Sequence, residues 1–267
     1  MKTFSVAVIA LAAIAGFQPG KAQAAIKVQT VDYKQGDTTL EGWLVYDDAK
    51  QGKRPGVMVF PAWNGPTEDE KGRAEMLAKL GYVAFVADVY GKGVRPNNFK
   101  DAAAESGKYM KDRGLLRARA QAGFDQLRNN PMVDTTKLAA IGYCFGGGVV
   151  LNMARQGADL RGVASFHGSL AAVRPAAPGA IKAEIRVYTG ADDKFVPSEA
   201  VEGFKKEMEA AGADVKIISY PGAVHSFTNP DATALGKKFN LPLAYNANAD
   251  KDSWNDMKKF LAEIFKQ

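Results

Sequence analysis

The chain holds one cysteine, Cys144, and two histidines, His167 and His225, in 267 residues. A lone cysteine excludes an internal disulfide. Charge of one sign is also in short supply. Setting aside Lys2 and Lys21 of the N-terminal segment leaves 33 basic against 29 acidic residues, a formal +4 where the whole chain has +6. The charges are interspersed, which supports neither a basic stripe for nucleic acid nor a polybasic membrane patch. Beyond the first residues no stretch is apolar enough to span a bilayer. Internal repeats, low-complexity tracts and long linkers are absent as well.

Residues 1–24 have the pattern of a secretory signal. Lys2 gives the positive start, Phe4 to Phe17 the apolar stretch, and Ala22-Gln23-Ala24 an AxA cleavage site. The apolar stretch is too short for a spanning helix. The expectation is an exported protein, periplasmic or secreted, whose mature chain begins at Ala25. Residues 25–267 are long enough for one domain with a stable core. An exported chain that keeps a single thiol invites a chemical explanation.

Periodicity predicts the architecture. Ile26 to Tyr33 and Thr39 to Tyr46 alternate as an antiparallel strand pair turning at Gly36-Asp37. Continuous apolar runs at Gly56 to Phe60, Tyr82 to Asp88, Leu138 to Tyr143, Gly162 to Phe166, Glu184 to Thr189 and Val215 to Tyr220 read as strands buried on both faces. Helical stretches at Glu68 to Leu80, Leu115 to Asn129, Phe145 to Arg155, Ser198 to Ala211 and Ser253 to Phe265 separate or follow them. This alternation predicts an α/β class with a doubly wound, mostly parallel sheet and an antiparallel N-terminal strand pair. Ligands of such sheets bind beyond the carboxyl ends of the strands.

Cys144 stands in GYCFGGG, residues 142–148, with glycines two residues to either side. That is the nucleophile-elbow spacing, with cysteine where serine is usual. Side chains at Gly142 or Gly146 would clash where the backbone folds back, and the helix that follows aims its first amides at the sulfur, which favours thiolate. A buried free cysteine can also be a small hydrophobe, but the flanking strand and helix favour a nucleophile.

A cysteine nucleophile needs a base and a carboxylate to orient it. His225 lies just past the last predicted strand and follows the elbow in the order nucleophile, acid, histidine. His167, in Ser165-Phe166-His167-Gly168, reads as a hydrogen-bonded structural residue. Asp193, in the Gly190-Ala191-Asp192-Asp193-Lys194-Phe195-Val196-Pro197 frame, is the expected acid, with Asp192 as a turn cap. The backbone N–H groups of Phe145 and Trp63 are the expected oxyanion donors. Trp63, Phe145, Tyr90 and Tyr143 are candidates to wall an apolar pocket.

Together these residues make the chain resemble the dienelactone hydrolase family. The resemblance rests on the GYCFGG elbow, the segment from Gly81 to Gly91, Ser165 to Gly168, the Asp193 frame and His225-Ser226-Phe227. It implies an α/β-hydrolase fold and hydrolysis of a small ester or lactone by a Cys144-His225-Asp193 triad through an acyl-thioester, with no metal or cofactor. The expected partner is a small-molecule ester or lactone, with no nucleic acid and no membrane span in the mature chain, and the expected state is a monomer.

Two positions depart from the family pattern. Ala62 stands where members carry a glutamate that helps activate the cysteine, and Glu68 and Asp69 are the nearest carboxylates in sequence. The positions of two carboxylate-binding arginines hold Gly91 or Lys92, and Asn229. Tyr90, Lys92, Arg95 and Asn229 are therefore only tentative substrate-binding residues, and Lys92 to Lys108 is a candidate lid. The competing expectation is a binding protein that keeps the pocket without turnover.

Overall fold

A computed structural model describes residues 25–172 and 174–266. The proposed signal segment lies outside the described residues. The chain opens with β1 (Ile26–Gln35) and β2 (Thr38–Asp47), paired antiparallel from Ile26↔Asp47 to Gln35↔Thr38. Gly36, at φ 56°, supplies the left-handed backbone that a two-residue hairpin turn requires.

The chain then alternates. β3 (Arg54–Phe60) is followed by α1 (Glu68–Lys79) and β4 (Val83–Val86), then α2 (Phe99–Lys111), α3 (Arg113–Arg128) and β5 (Val133–Tyr143). After these come α4 (Phe145–Arg155), β6 (Gly162–Phe166), β7 (Glu184–Gly190), α5 (Ser198–Ala211), β8 (Val215–Tyr220), α6 (Ala232–Phe239) and α7 (Ala247–Ile264). The eight strands form one sheet in the order β1-β2-β4-β3-β5-β6-β7-β8. β2 joins β4 antiparallel, and every pair from β4 to β8 is parallel.

Alternation along the central strands sends side chains to two separate cores. Met58 and Phe60 of β3 and Ala140 of β5 pack with Phe124, Leu127 and Val150 from α3 and α4. Val57, Val59 and Ile141 point the other way, onto Ala74 and Leu77 of α1 and Met257 and Phe260 of α7. The chain leaves β3 to one side for β4 and returns to its other side for β5. That reversal opens a crevice beyond the carboxyl ends of β3 and β5.

Helix α2 is a finding that periodicity did not give. Its buried positions are Ala102, Ser106 and Tyr109, too small and mixed to register as an apolar stripe, and Asn98 caps it by accepting the Asp101 N–H. Helix α6 is short and was not predicted either. Helix α7 starts well before Ser253 because Asn246 accepts the Ala249 N–H and turns a polar stretch into its first turn.

Candidate active site

Strand β5 ends at Tyr143 and α4 begins at Phe145, so Cys144 alone makes the corner. Its backbone sits at φ 50° and ψ −111°, a strained conformation for a residue with a Cβ. The glycines explain how the corner closes. A Cβ on Gly142 would lie 2.1 Å from the Gly146 carbonyl oxygen, and one on Gly146 would lie 2.2 Å from that of Phe60. The Cys144 N–H donates to the Phe166 carbonyl at 2.9 Å and to His167 Nδ1 at 3.2 Å.

The sulfur has one titratable neighbour within hydrogen-bonding range among the described residues. His225 Nε2 stands 3.1 Å from Cys144 Sγ, and His225 Nδ1 stands 2.8 Å from Asp193 Oδ2. The second oxygen of Asp193 accepts the Phe195 N–H at 2.8 Å. Asp193 is 3% exposed, whereas the neighbouring Asp192 faces solvent. The loop after β7 thus turns one carboxylate inward and the other out. Burial disfavours charge on His225, but its interactions with Cys144 and with the Asp193 carboxylate outweigh it and raise the imidazole from 6.5 to about 10.

His167 occupies the other side of the corner at φ 40°. Its Nε2 meets Thr228 Oγ1 at 2.9 Å while Nδ1 accepts from Cys144, so the ring is a neutral Nε2–H tautomer. Burial and the nearby His225 charge hold it well below 6.5.

The two backbone amides expected as oxyanion donors are those of Phe145 and Trp63. Phe145 is the first residue of α4, a position with no intrahelical acceptor for its N–H. The Trp63 N–H has no acceptor among the described residues. The Trp63 carbonyl is held by the Tyr90 hydroxyl at 2.9 Å, and its indole packs edge-on against Phe99 of α2.

The sequence reading missed Glu70. Its Oε1 accepts the Ala62 N–H at 3.1 Å, and its Oε2 accepts the Thr67 N–H and hydroxyl, so it ties the loop carrying Trp63 to the start of α1. The signal was available as the capping box Thr67-Glu68-Asp69-Glu70. Exposed Glu68 instead pairs with half-buried Lys71, and Asp69 lies 3.9 Å from Arg73.

Cys144 and His225 open onto a cavity of about 380 Å³. Trp63, Phe145, Phe195 and Val149 line it, with Phe99, Ser106 and Met110 from α2 and Arg113 from the start of α3. The candidate lid is therefore a helix that walls the pocket.

The tentative substrate residues fall outside this lining. Tyr90 is buried behind it, against Phe145 and Tyr109, and serves to hold Trp63. Lys92 bonds Asp32 and Glu41 at the sheet edge. Arg95 donates to the Gly91, Val94 and Glu41 carbonyls and lies 3.5 Å from Asp88. Asn229 accepts the Asp231 N–H in its own turn. Tyr143, read as a pocket aromatic, is turned by strand alternation to the α1 and α7 side, where it stacks on Phe166.

An elbow on a doubly wound sheet, with an acid and a histidine on later strand ends, defines the α/β-hydrolase class. The chain belongs to the Dienelactone hydrolase family, whose model matches residues 40–265. It is 37% identical to a dienelactone hydrolase-like promiscuous phosphotriesterase from metagenomic libraries, whose crystal structure matches with a TM-score of 0.85 over 90% of this chain and 99% of that one. It is 27% identical to the "putative carboxymethylenebutenolidase" of Yersinia pestis over 86% of this chain and 85% of that protein. An uncharacterized protein of Caenorhabditis elegans is 37% identical over 57% of this chain and 96% of its own length.

Proposed function

We propose that the protein is a thiol hydrolase of small carboxylic esters or lactones. The observation that carries this is the continuous line from Cys144 Sγ through His225 to Asp193, at 3.1 and 2.8 Å, on a strained corner. The Cys144 thiolate attacks the substrate carbonyl carbon, and the Trp63 and Phe145 N–H groups stabilise the oxyanion. Collapse breaks the bond to the leaving oxygen, which takes the proton from His225 Nε2. Water then attacks the thioester carbonyl, returns a proton to His225, and releases the acid and the thiolate. Asp193 holds the imidazole in the tautomer this requires.

His225 meets the sulfur without help from a carboxylate at position 62, so the histidine alone supplies the activation. The export signal read in residues 1–24 places the activity outside the cytoplasm in this proposal. The test is turnover of an ester and lactone panel, with a phosphotriester added because one relative is named for that activity. Turnover by the protein that disappears in Cys144→Ala is the expected result. No activity above that variant on any member would overturn the proposal in favour of a binding protein.

A further inference from the structure

Four residues of the catalytic pocket are shared with a neighbouring space. Arg113, Leu116, Val149 and Asn152 also line a second hollow of about 380 Å³, which contains neither Cys144 nor His225. The two spaces lie along α4: Cys144, Phe145 and Val149 face the first, and Asn152 and Arg155 reach the second. Residues 144 to 152 cover about 12 Å of helix axis.

The second hollow is basic. Arg113, Arg117, Arg155 and Arg174 all line it, and its lining includes no acidic side chain. The guanidinium groups of half-buried Arg113 and of exposed Arg117 and Arg174 have no hydrogen bond or ion pair among the described residues. Arg155 is bound in bidentate fashion to Glu207 at 2.7 Å and donates to the Leu170 carbonyl, yet its Nη1 is buried without an acceptor. The hollow also reaches the first turn of α3 at Arg113 and Gly114, where the cap Asp112 already accepts the Leu115 N–H at 2.8 Å. Three unpaired guanidinium groups around one hollow, with the buried and unsatisfied Arg155 Nη1 among them, are the chemistry of an anion site. The lining of the cavity at the sulfur includes the apolar Met110, Leu116, Phe145 and Val149, with Asn152 common to both spaces.

We propose that this hollow binds an anionic group at the far end of the substrate, so that the preferred ester carries a terminal carboxylate or phosphate on an apolar chain. This rests on the thiol-hydrolase reading for the reaction, while the anion site can be tested without it. One charge-assisted contact is worth about 1.5–3 kcal/mol, or about tenfold or more in kcat/KM.

The experiment compares p-nitrophenyl octanoate with the mono-p-nitrophenyl ester of suberic acid, which ends in a carboxylate, and repeats the pair with an ester ending in phosphate. The readout is the ratio of kcat/KM for the anionic to the neutral ester, in the protein and in Arg117→Gln/Arg174→Gln. A ratio of about tenfold that falls by about tenfold in the double variant is expected, and the larger ratio of the two anions identifies the group. A ratio near one, or one the variant leaves unchanged, overturns the proposal. Should no ester be cleaved, the thiol-hydrolase reading fails separately, and calorimetric titration with suberate and inorganic phosphate decides the hollow. Uptake that the double variant weakens about tenfold supports it; absent or unaltered uptake overturns it.

Discussion

His167 and His225 meet edge to face, their ring centroids 5.2 Å apart, and titrate in opposite directions. Both are buried. His225 lies between the Cys144 sulfur and the Asp193 carboxylate, whereas His167 meets a hydroxyl and a backbone N–H, neither of which rewards a positive charge.

The first prediction follows from the cause of the His225 shift. Nitrogen NMR of the imidazoles should show His225 titrating near 10 and His167 remaining neutral through the ordinary histidine range. In Cys144→Ala the thiolate is gone, and the His225 value should fall. A value unmoved by that substitution would rule out the thiolate as its source.

The two histidines also give opposite stability profiles. His225 is raised in the folded chain, so its contribution is complete below 6.5 and lost as pH rises from there through about 10. His167 is lowered, so its contribution is present above 6.5 and lost as the unfolded chain takes up a proton below it. Urea unfolding should therefore show His167→Asn losing less stability than the parent between about pH 7 and pH 5.

Asp193 and Asp192 are adjacent in sequence, but only Asp193 touches His225. Asp193→Asn should lower kcat on a cleaved ester by on the order of 10⁴. Asp192→Asn, on an exposed side chain, should stay within about twofold. Equal losses in the two variants would remove Asp193 from its orienting role.

Gly146→Ala tests the corner. The new methyl would be driven into the Phe60 and Pro61 carbonyls at 2.2 and 2.6 Å, both backbone and unable to rotate away. A loss of about 3 kcal/mol in chemical unfolding is expected. Gly203→Ala, in α5 with nothing near its Cβ, should be neutral or stabilising.

Glu70→Ala should cost about 2 kcal/mol, since it removes a cap and leaves the Ala62 N–H without its acceptor. It should also lower kcat, because the freed loop carries the Trp63 amide. Circular dichroism melts and ester turnover measured on the same preparation separate the two effects.

What the sequence determined by itself is local. Strand periods, the hairpin turn at Gly36-Asp37, and the elbow glycines around Cys144 follow from steric rules that act over a few residues. That Cys144, Asp193 and His225 follow strand ends was legible for the same reason, since each sits just past an apolar run, and the fold brings the three side chains together. What only the tertiary structure decided depends on which distant side chains share a space. Lys92 and Arg95 have the right charge for a substrate anion, but acidic neighbours at the β1 and β2 edge claim them. Arg113 and Arg117 carry no motif at all, and they acquire a place beside the catalytic pocket because α3 packs against α4. Charge is written in the sequence; whether it is free or already paired is settled by packing.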